Sequence, residues 1–290
     1  MGKLKALWEL TRFEHGIMFA LAILIGVLLT GSIEYGKTLI SMGVAILIQS
    51  SAFSLNDYFD MKIDIKNKRF DRPLVRGDIS PKTAIAIFAI FLPAGIALAY
   101  IINTACFLIA FTTAFLSILY DAFLKKVKVV GNIYIAFTMA IPFIFGGAAM
   151  SGWEIESMIY FVALVAFLSG WGREIMKDVM DFEGDIKENV KSIPFYIEKR
   201  GANRMASFLY VAASIIALIP FFFRIDEAYF HNYAYLLLVM LTDFMLFYIS
   251  IRIFNDISLE TLKKCRRLSI FALFIGLMAF LVGTYKKFFF

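Results

Sequence analysis

Apolar runs long enough to cross a bilayer alternate along this chain with short polar connections. Nine stretches lie near residues 16–33, 37–55, 81–101, 103–120, 131–151, 155–176, 205–223, 233–252 and 268–285. Each is about the 18 predominantly apolar residues that a helix needs to span the hydrocarbon layer. The connections leave no room for a separate soluble domain. The pattern therefore predicts one all-α polytopic membrane domain over residues 1–290, with nine transmembrane helices. The first run follows a basic start, as a signal peptide would, but no small-residue cleavage site follows it and eight more runs do; it reads as a retained helix.

Charge adds an orientation. The chain carries 29 lysines and arginines, and 25 of them fall before the first run or after the second, fourth, sixth and eighth. The opposite side holds only Lys37, Arg224, Lys286 and Lys287. The positive-inside bias predicts a multi-pass cell-membrane protein with a cytoplasmic N-terminus and, after nine spans, an outside C-terminus. A net charge of +6 suits anionic headgroups and anionic substrates. Spread over membrane-edge connections, it gives no argument for a nucleic-acid partner. The two cysteines, Cys106 and Cys265, are not placed to pair, and no Cys/His cluster has zinc spacing. Trp8, Trp153 and the tyrosines 229, 233 and 235 read as interfacial belts.

Polar positions within this frame recur. The stretch NDYFDMKIDIKNKRFDRP, residues 56–73, returns as KDVMDFEGDIKENVKSIP at 177–194. An offset of 121 carries Asp57, Asp60 and Asp64 onto Asp178, Asp181 and Asp185. It also carries Ile65, Lys66 and Pro73 onto Ile186, Lys187 and Pro194, and upstream Met18, Gly26 and Gly31 onto Met139, Gly147 and Gly152. Four runs separate the copies, an even number, so both acidic stretches face one side. This is a parallel internal duplication with halves of approximately 1–121 and 122–252 plus a final helix.

Aspartates at i, i+3 and i+7 share one helix face, and stacked carboxylates repel each other. A bound divalent cation would reward such an arrangement. The ligands, Asn56, Asp57, Asp60, Asp64, Asp178, Asp181 and Asp185, are all hard oxygens, which points to Mg2+ or Mn2+ rather than zinc or copper. Two acidic helix ends holding such ions would form a seat for a diphosphate. Lys66, Arg69, Arg72 and Arg76 after the first cluster, Lys187 and Lys191 after the second, and Lys125 and Lys126 after Tyr120 look like a clamp on phosphate oxygens.

The motif NDYFDMKID resembles the NDxxDxxxD signature of the UbiA-type intramembrane prenyltransferases, and DVMDFEGD resembles their second aspartate-rich motif. RPLVRG and LYDAFLKKVKVVGN also look like landmarks of that family, and the resemblance runs from about Arg12 to Arg200. It implies a UbiA-like bundle in which Mg2+ held by Asn56, Asp60 and Asp64, and by Asp178, Asp181 and Asp185, grips a prenyl diphosphate. Lys66, Arg69, Arg72, Tyr120, Lys125 and Lys187 would then neutralise the departing diphosphate. The sequence REIMKDVMDFEGDIKENVKSIP looks like the archaeal branch that makes digeranylgeranylglyceryl phosphate. That implies a geranylgeranyl diphosphate donor and an isoprenoid glyceryl phosphate acceptor, with Arg12 and His15 as candidates for the acceptor phosphate.

An aromatic acceptor, hydroxybenzoate or naphthoate, is the alternative within the family, and a cation-coupled transporter is the alternative from another class. Transporter sites lie near the bilayer midplane on broken helices, whereas these clusters end the second and sixth runs. Asp243, in the middle of the eighth run, reads either as a base near the acceptor or as a hydrogen-bonding partner of a neighbouring helix; the second is favoured.

Overall fold

The computed structural model describes residues 2–123, 125, 127–187 and 190–289. Among these there are helices and connections and no strand. The helices are α1 (Lys3–Thr11), α2 (Phe13–Leu29), α3 (Tyr35–Lys66), α4 (Pro73–Arg76), α5 (Pro81–Ile102) and α6 (Thr104–Ala122), then α7 (Lys128–Ser151), α8 (Ser157–Lys187), α9 (Ile193–Phe222), α10 (Tyr233–Asn255), α11 (Leu259–Thr284) and α12 (Lys286–Phe289). Among the described residues eight helices are long and apolar enough to cross a membrane. The pair α1 and α2, bent by 50° at its break, brings the number to nine when counted as one span. The nine predicted runs thus have their helices, and the chain is a multi-pass membrane protein.

The helices gather into two compact units. The first comprises Met1–Val27, Ile33–Phe123 and Phe145–Glu154, and the second Leu28–Ser32, Leu124–Ile144 and Ile155–Phe290. In the first unit α3 is the axis against which α1, α4, α5 and α6 pack. Close approach there relies on residues without a side chain: a Cβ on Gly95 of α5 would lie 2.8 Å from the side chain of Ile48 on α3. Asn103 joins α5 to α6 by accepting from the Cys106 amide at 2.8 Å, and it donates to the Ala148 carbonyl of α7 at 2.8 Å.

In the second unit α8 packs on α9, α9 on α10, and α10 on α11. Ile175, Met176, Val179, Tyr210, Ile249 and Ile253 form its core. Ser207 of α9 donates to the Ser250 carbonyl of α10 at 2.9 Å, the kind of small polar contact that joins helices where apolar surface alone gives no preference. Tyr229 and Tyr235 depart from the interfacial belt expected for them. Both are fully buried, and their hydroxyls donate to the carbonyls of Phe280 and Ala217. A tyrosine near a helix end can serve as a belt or as a packed ring with a satisfied hydroxyl, and sequence spacing does not separate the two. Tyr233, Trp8 and Trp153 are exposed, as a belt requires.

The duplication recurs in the helices. The offset of 121 carries Lys66, last residue of α3, onto Lys187, last residue of α8. It also carries Gly31 onto Gly152, and both adopt left-handed backbone with φ of 70° and 65°. Only glycine takes that conformation without cost.

Gly146 of α7 meets backbone rather than a flexible side chain: a Cβ there would sit 2.2 Å from the Ile23 carbonyl oxygen and 3.0 Å from the Val27 nitrogen on α2. Gly146→Ala must push two helix backbones apart, and we expect it to lower stability by about 3 kcal/mol or more. Gly43→Ala, on α3 with nothing within 4 Å of the new methyl, is the control and should be neutral or slightly stabilising. Melting temperatures of both variants in detergent check the contrast.

Candidate active site

Helix α3 runs unbroken for 32 residues, about 48 Å at 1.5 Å per residue, against a hydrocarbon layer of about 30 Å. Its surplus carries the first acidic cluster on helical backbone beyond the apolar stretch. Asn67 caps the helix, Lys68 turns the chain at φ 53°, and Pro73 starts α4. Asp57 and Asp64 are buried on the shared face and Asp60 is partly exposed.

Asp57, 2% exposed, is the centre of an ion-pair cluster. Its Oδ1 accepts from Arg12 at 2.9 Å and from Arg72 at 2.8 Å. Arg12 sits at the bend between α1 and α2 with φ of 44°, a left-handed conformation that costs a non-glycine residue about 1 kcal/mol. Gln49 of α3 holds that bend by donating to the Thr11 and Arg12 carbonyls at 3.2 and 3.4 Å. The Arg12 guanidinium lies over the Phe53 ring, 4.0 Å from its centroid. Arg72 precedes α4 and brings its Nε to 3.9 Å from Asp64. Arg76, predicted for the clamp, instead joins Glu9 of α1 and, at 2.7 Å, Asp78. Asn56 donates to Asp121 of α6 at 2.6 Å.

The second cluster follows the same order of burial. Asp178, the counterpart of Asp57, is 0% exposed, Asp181 is exposed, and Asp185 is buried. The first turns of α7 supply the partners. Asn132 donates to Asp178 at 2.6 Å. Lys128, four residues earlier on the same helix face, donates to both Asp185 oxygens at 2.7 Å and lies 3.6 Å from Asp178.

The other predicted residues are less engaged. Lys66 and Lys187 are exposed, and Tyr120 and Lys125 are partly buried; Lys126 lies outside the described residues. Arg69 donates twice to Asp71, at 2.9 and 2.8 Å, and holds that carboxyl below its ordinary range. His15 is exposed, 3.8 Å from Glu14 and edge-on to Phe53. Asp243 of α10 is partly buried and faces Ser214 of α9. Sequence reasoning missed Asp121, Lys128, Asn132 and Gln49, each of which meets a site residue from a distant point in the chain. Asp121, Lys128 and Asn132 lie inside the landmark LYDAFLKKVKVVGN, the one signal that points toward them.

Among the described residues no three His, Cys, Asp or Glu side chains converge as a closed metal cage. The donor set nonetheless suits Mg2+, which usually takes one or two carboxylates and completes its shell with water and phosphate oxygens. Asp60 and Asp64, and Asp181 and Asp185, offer such carboxylates at helical spacing.

Lys128 is a cation beside two buried carboxylates, Asp178 and Asp185. Lys128→Met removes it while keeping length, and we expect a loss of about 3 kcal/mol without divalent metal. Added Mg2+ should restore part of that loss and stabilise this variant more than the wild type. Thermal unfolding in detergent with and without Mg2+ measures both terms.

Comparison with known proteins places this geometry. The profile of the UbiA prenyltransferase family matches residues 17–275. Digeranylgeranylglyceryl phosphate synthase of Archaeoglobus fulgidus is 39% identical over 284 residues, 97% of this chain and 96% of that protein. A solved structure concerning digeranylgeranylglyceryl phosphate synthase in membranes superposes with a TM-score of 0.80 at 33% identity, over 99% of this chain and 100% of the other. A UbiA homolog from Archaeoglobus fulgidus, bound to GPP and Mg2+, shares the fold with a TM-score of 0.62 at 18% identity, over 96% of this chain and 100% of that one. With the matched profile, the paired aspartate motifs and the helical fold in agreement, the chain belongs to the UbiA prenyltransferase family.

Proposed function

We propose that this protein transfers a geranylgeranyl group from geranylgeranyl diphosphate to geranylgeranylglyceryl phosphate, forming digeranylgeranylglyceryl phosphate for ether membrane lipids. One observation carries the reading: two acidic clusters of matched spacing end α3 and α8, on a chain 39% identical to a digeranylgeranylglyceryl phosphate synthase along nearly its whole length. Residues 1–290 act as one prenyltransferase domain. The basic connections support a cytoplasmic N-terminus and cytoplasmic clusters and, with nine spans, an outside C-terminus.

In this reading Asn56, Asp60 and Asp64, with Asp181 and Asp185, hold Mg2+. The metal supplies charge neutralisation to the diphosphate oxygens when bound. Lys66, Arg69, Lys125 and Lys187 add cationic contacts to the same oxygens, and Tyr120 adds a hydroxyl. The allylic C–O bond breaks with its electron pair leaving on the diphosphate. The acceptor hydroxyl oxygen forms the new C–O bond, and its proton passes to the departing diphosphate. An alcohol is a poor nucleophile, so the acceptor must be held in place before ionisation. Its phosphate needs a cationic partner of its own, and Arg12, with His15 on the next turn, fills that role.

The deciding assay supplies purified protein with labelled geranylgeranyl diphosphate, Mg2+, and either the glyceryl phosphate or 4-hydroxybenzoate. Transfer to the glyceryl phosphate alone supports the reading, and transfer to the aromatic alone replaces it. Cation flux in liposomes without any diphosphate release would sink the enzyme altogether.

Asp60→Asn and Asp181→Asn should each abolish most turnover while leaving a folded protein. Removing one of several like charges relieves repulsion, so the melting temperature without Mg2+ should hold or rise. Full turnover at saturating Mg2+ in either variant would end its assignment.

Arg12→Ala should raise the KM for the glyceryl phosphate far more than that for the prenyl diphosphate. Loss of one charge-assisted phosphate contact, about 1.5–3 kcal/mol, corresponds to roughly 10- to 100-fold. Steady-state kinetics with each substrate varied in turn resolve the two constants.

A further inference from the structure

Asp57 belongs to the acidic motif by sequence, yet its surroundings differ from those of a metal ligand. It is 2% exposed, and one of its oxygens receives two guanidinium groups at 2.9 and 2.8 Å. A dication at that oxygen would lie against two fixed positive charges. The two arginines reach Asp57 from separate features of the chain. Arg12 takes a left-handed backbone conformation that Gln49 secures, and Arg72 sits at the start of α4, whose Arg76 is fastened to Glu9 of α1. Asp57 between two guanidinium groups leaves a net charge of +1, which Asp64, 3.9 Å from Arg72, offsets unless a cation engages it. Each guanidinium has five N–H donors in a planar fork, more than a single shared oxygen consumes. The cluster therefore suits the oxygens of a phosphate group.

The repeat supports a separate role for this position. Asp178, the counterpart of Asp57, is likewise the most buried of its three aspartates and is held by Asn132 and Lys128. The leading aspartate of each triplet thus faces the protein, and the second of each is more open.

We propose that Asp57 is not a magnesium ligand but the positioning residue that holds Arg12 and Arg72 as one phosphate-binding pair. The inference rests on the transferase reading given above. The phosphate is that of the acceptor or the diphosphate of the donor, two sources of the same chemistry.

The test uses the full-length protein in detergent and two readouts. The first is Mn2+ binding without substrates, followed by the loss of the free-ion electron paramagnetic resonance signal. Asp57→Asn should bind the wild-type number of Mn2+ ions, whereas Asp60→Asn should bind fewer. The second is steady-state kinetics, in which Asp57→Asn should raise one KM by about tenfold or more with a much smaller change in kcat. A rise confined to the glyceryl phosphate assigns the pair to the acceptor, and a rise confined to the prenyl diphosphate assigns it to the donor. Asp57→Glu keeps the charge but displaces the carboxylate, and it serves by the same criteria if the amide variant does not fold. Loss of bound Mn2+ in the Asp57 variant, matching Asp60→Asn, would overturn the inference. So would unchanged KM values for both substrates. If the wild type neither binds Mn2+ nor transfers a prenyl group, the transferase reading has failed first and takes this one with it.

Discussion

Carboxylates that sit buried at the end of a membrane-spanning helix must be neutralised, because an isolated charge leaves water only at a cost of several kcal/mol. Much of the local architecture follows from that requirement. The bend after α1 delivers Arg12, the short helix α4 delivers Arg72, and the start of α7 delivers Lys128 and Asn132. The first two are irregular beside the long spans, the third is the first turn of a span, and each ends on an aspartate. A buried pair of this kind adds little net stability in itself, but removing one member leaves the other charged and unsolvated. The arrangement therefore favours one geometry strongly while contributing modestly to the total.

The two halves solve the problem with different arithmetic. In the first, Asp57 faces two arginines, and in the second, Asp178 and Asp185 share one lysine. Asp57 alone against Arg12 and Arg72 sums to +1, but Asp64, 3.9 Å from Arg72, brings the first group to neutral, while the second is left at −1. A duplicated motif with identical aspartate spacing has thus acquired different local electrostatics, neutral at the end of α3 and anionic at the end of α8.

Some of this was legible in the residues alone. Long apolar runs announce membrane helices because the bilayer sets a minimum length, and that constraint located the eight long helices among the described residues and the bent pair α1 and α2. The offset of 121 was legible because six identities around the aspartates survive in order, and the helices extend beyond the predicted runs to end at two of those identities, Lys66 and Lys187. Helical spacing put three aspartates on one face, yet it could not say which of them turns inward. That depends on partners 45 and 15 residues from Asp57, and 57 residues from Asp185. Lys128 looked like one more basic residue of a membrane edge. The bend at Arg12 carried no glycine or proline to mark it. Tyr229 and Tyr235 were misplaced because an amphipathic ring near a helix end satisfies either an interface or a core.

One tie in the second unit bears on the order in which the molecule is made. Lys287 donates to the Leu29 carbonyl, 258 residues away, and also meets Asp226 at 2.6 Å and Glu156 at 3.2 Å. Leu29 ends α2, one of the first helices to leave the ribosome, while Lys287 emerges after every other span has been threaded into the bilayer. Until then the carbonyl at the end of α2 and the two acidic side chains lack this partner. This tie therefore forms only when translation has passed Lys287, and until then water, headgroups or insertion machinery must satisfy those groups.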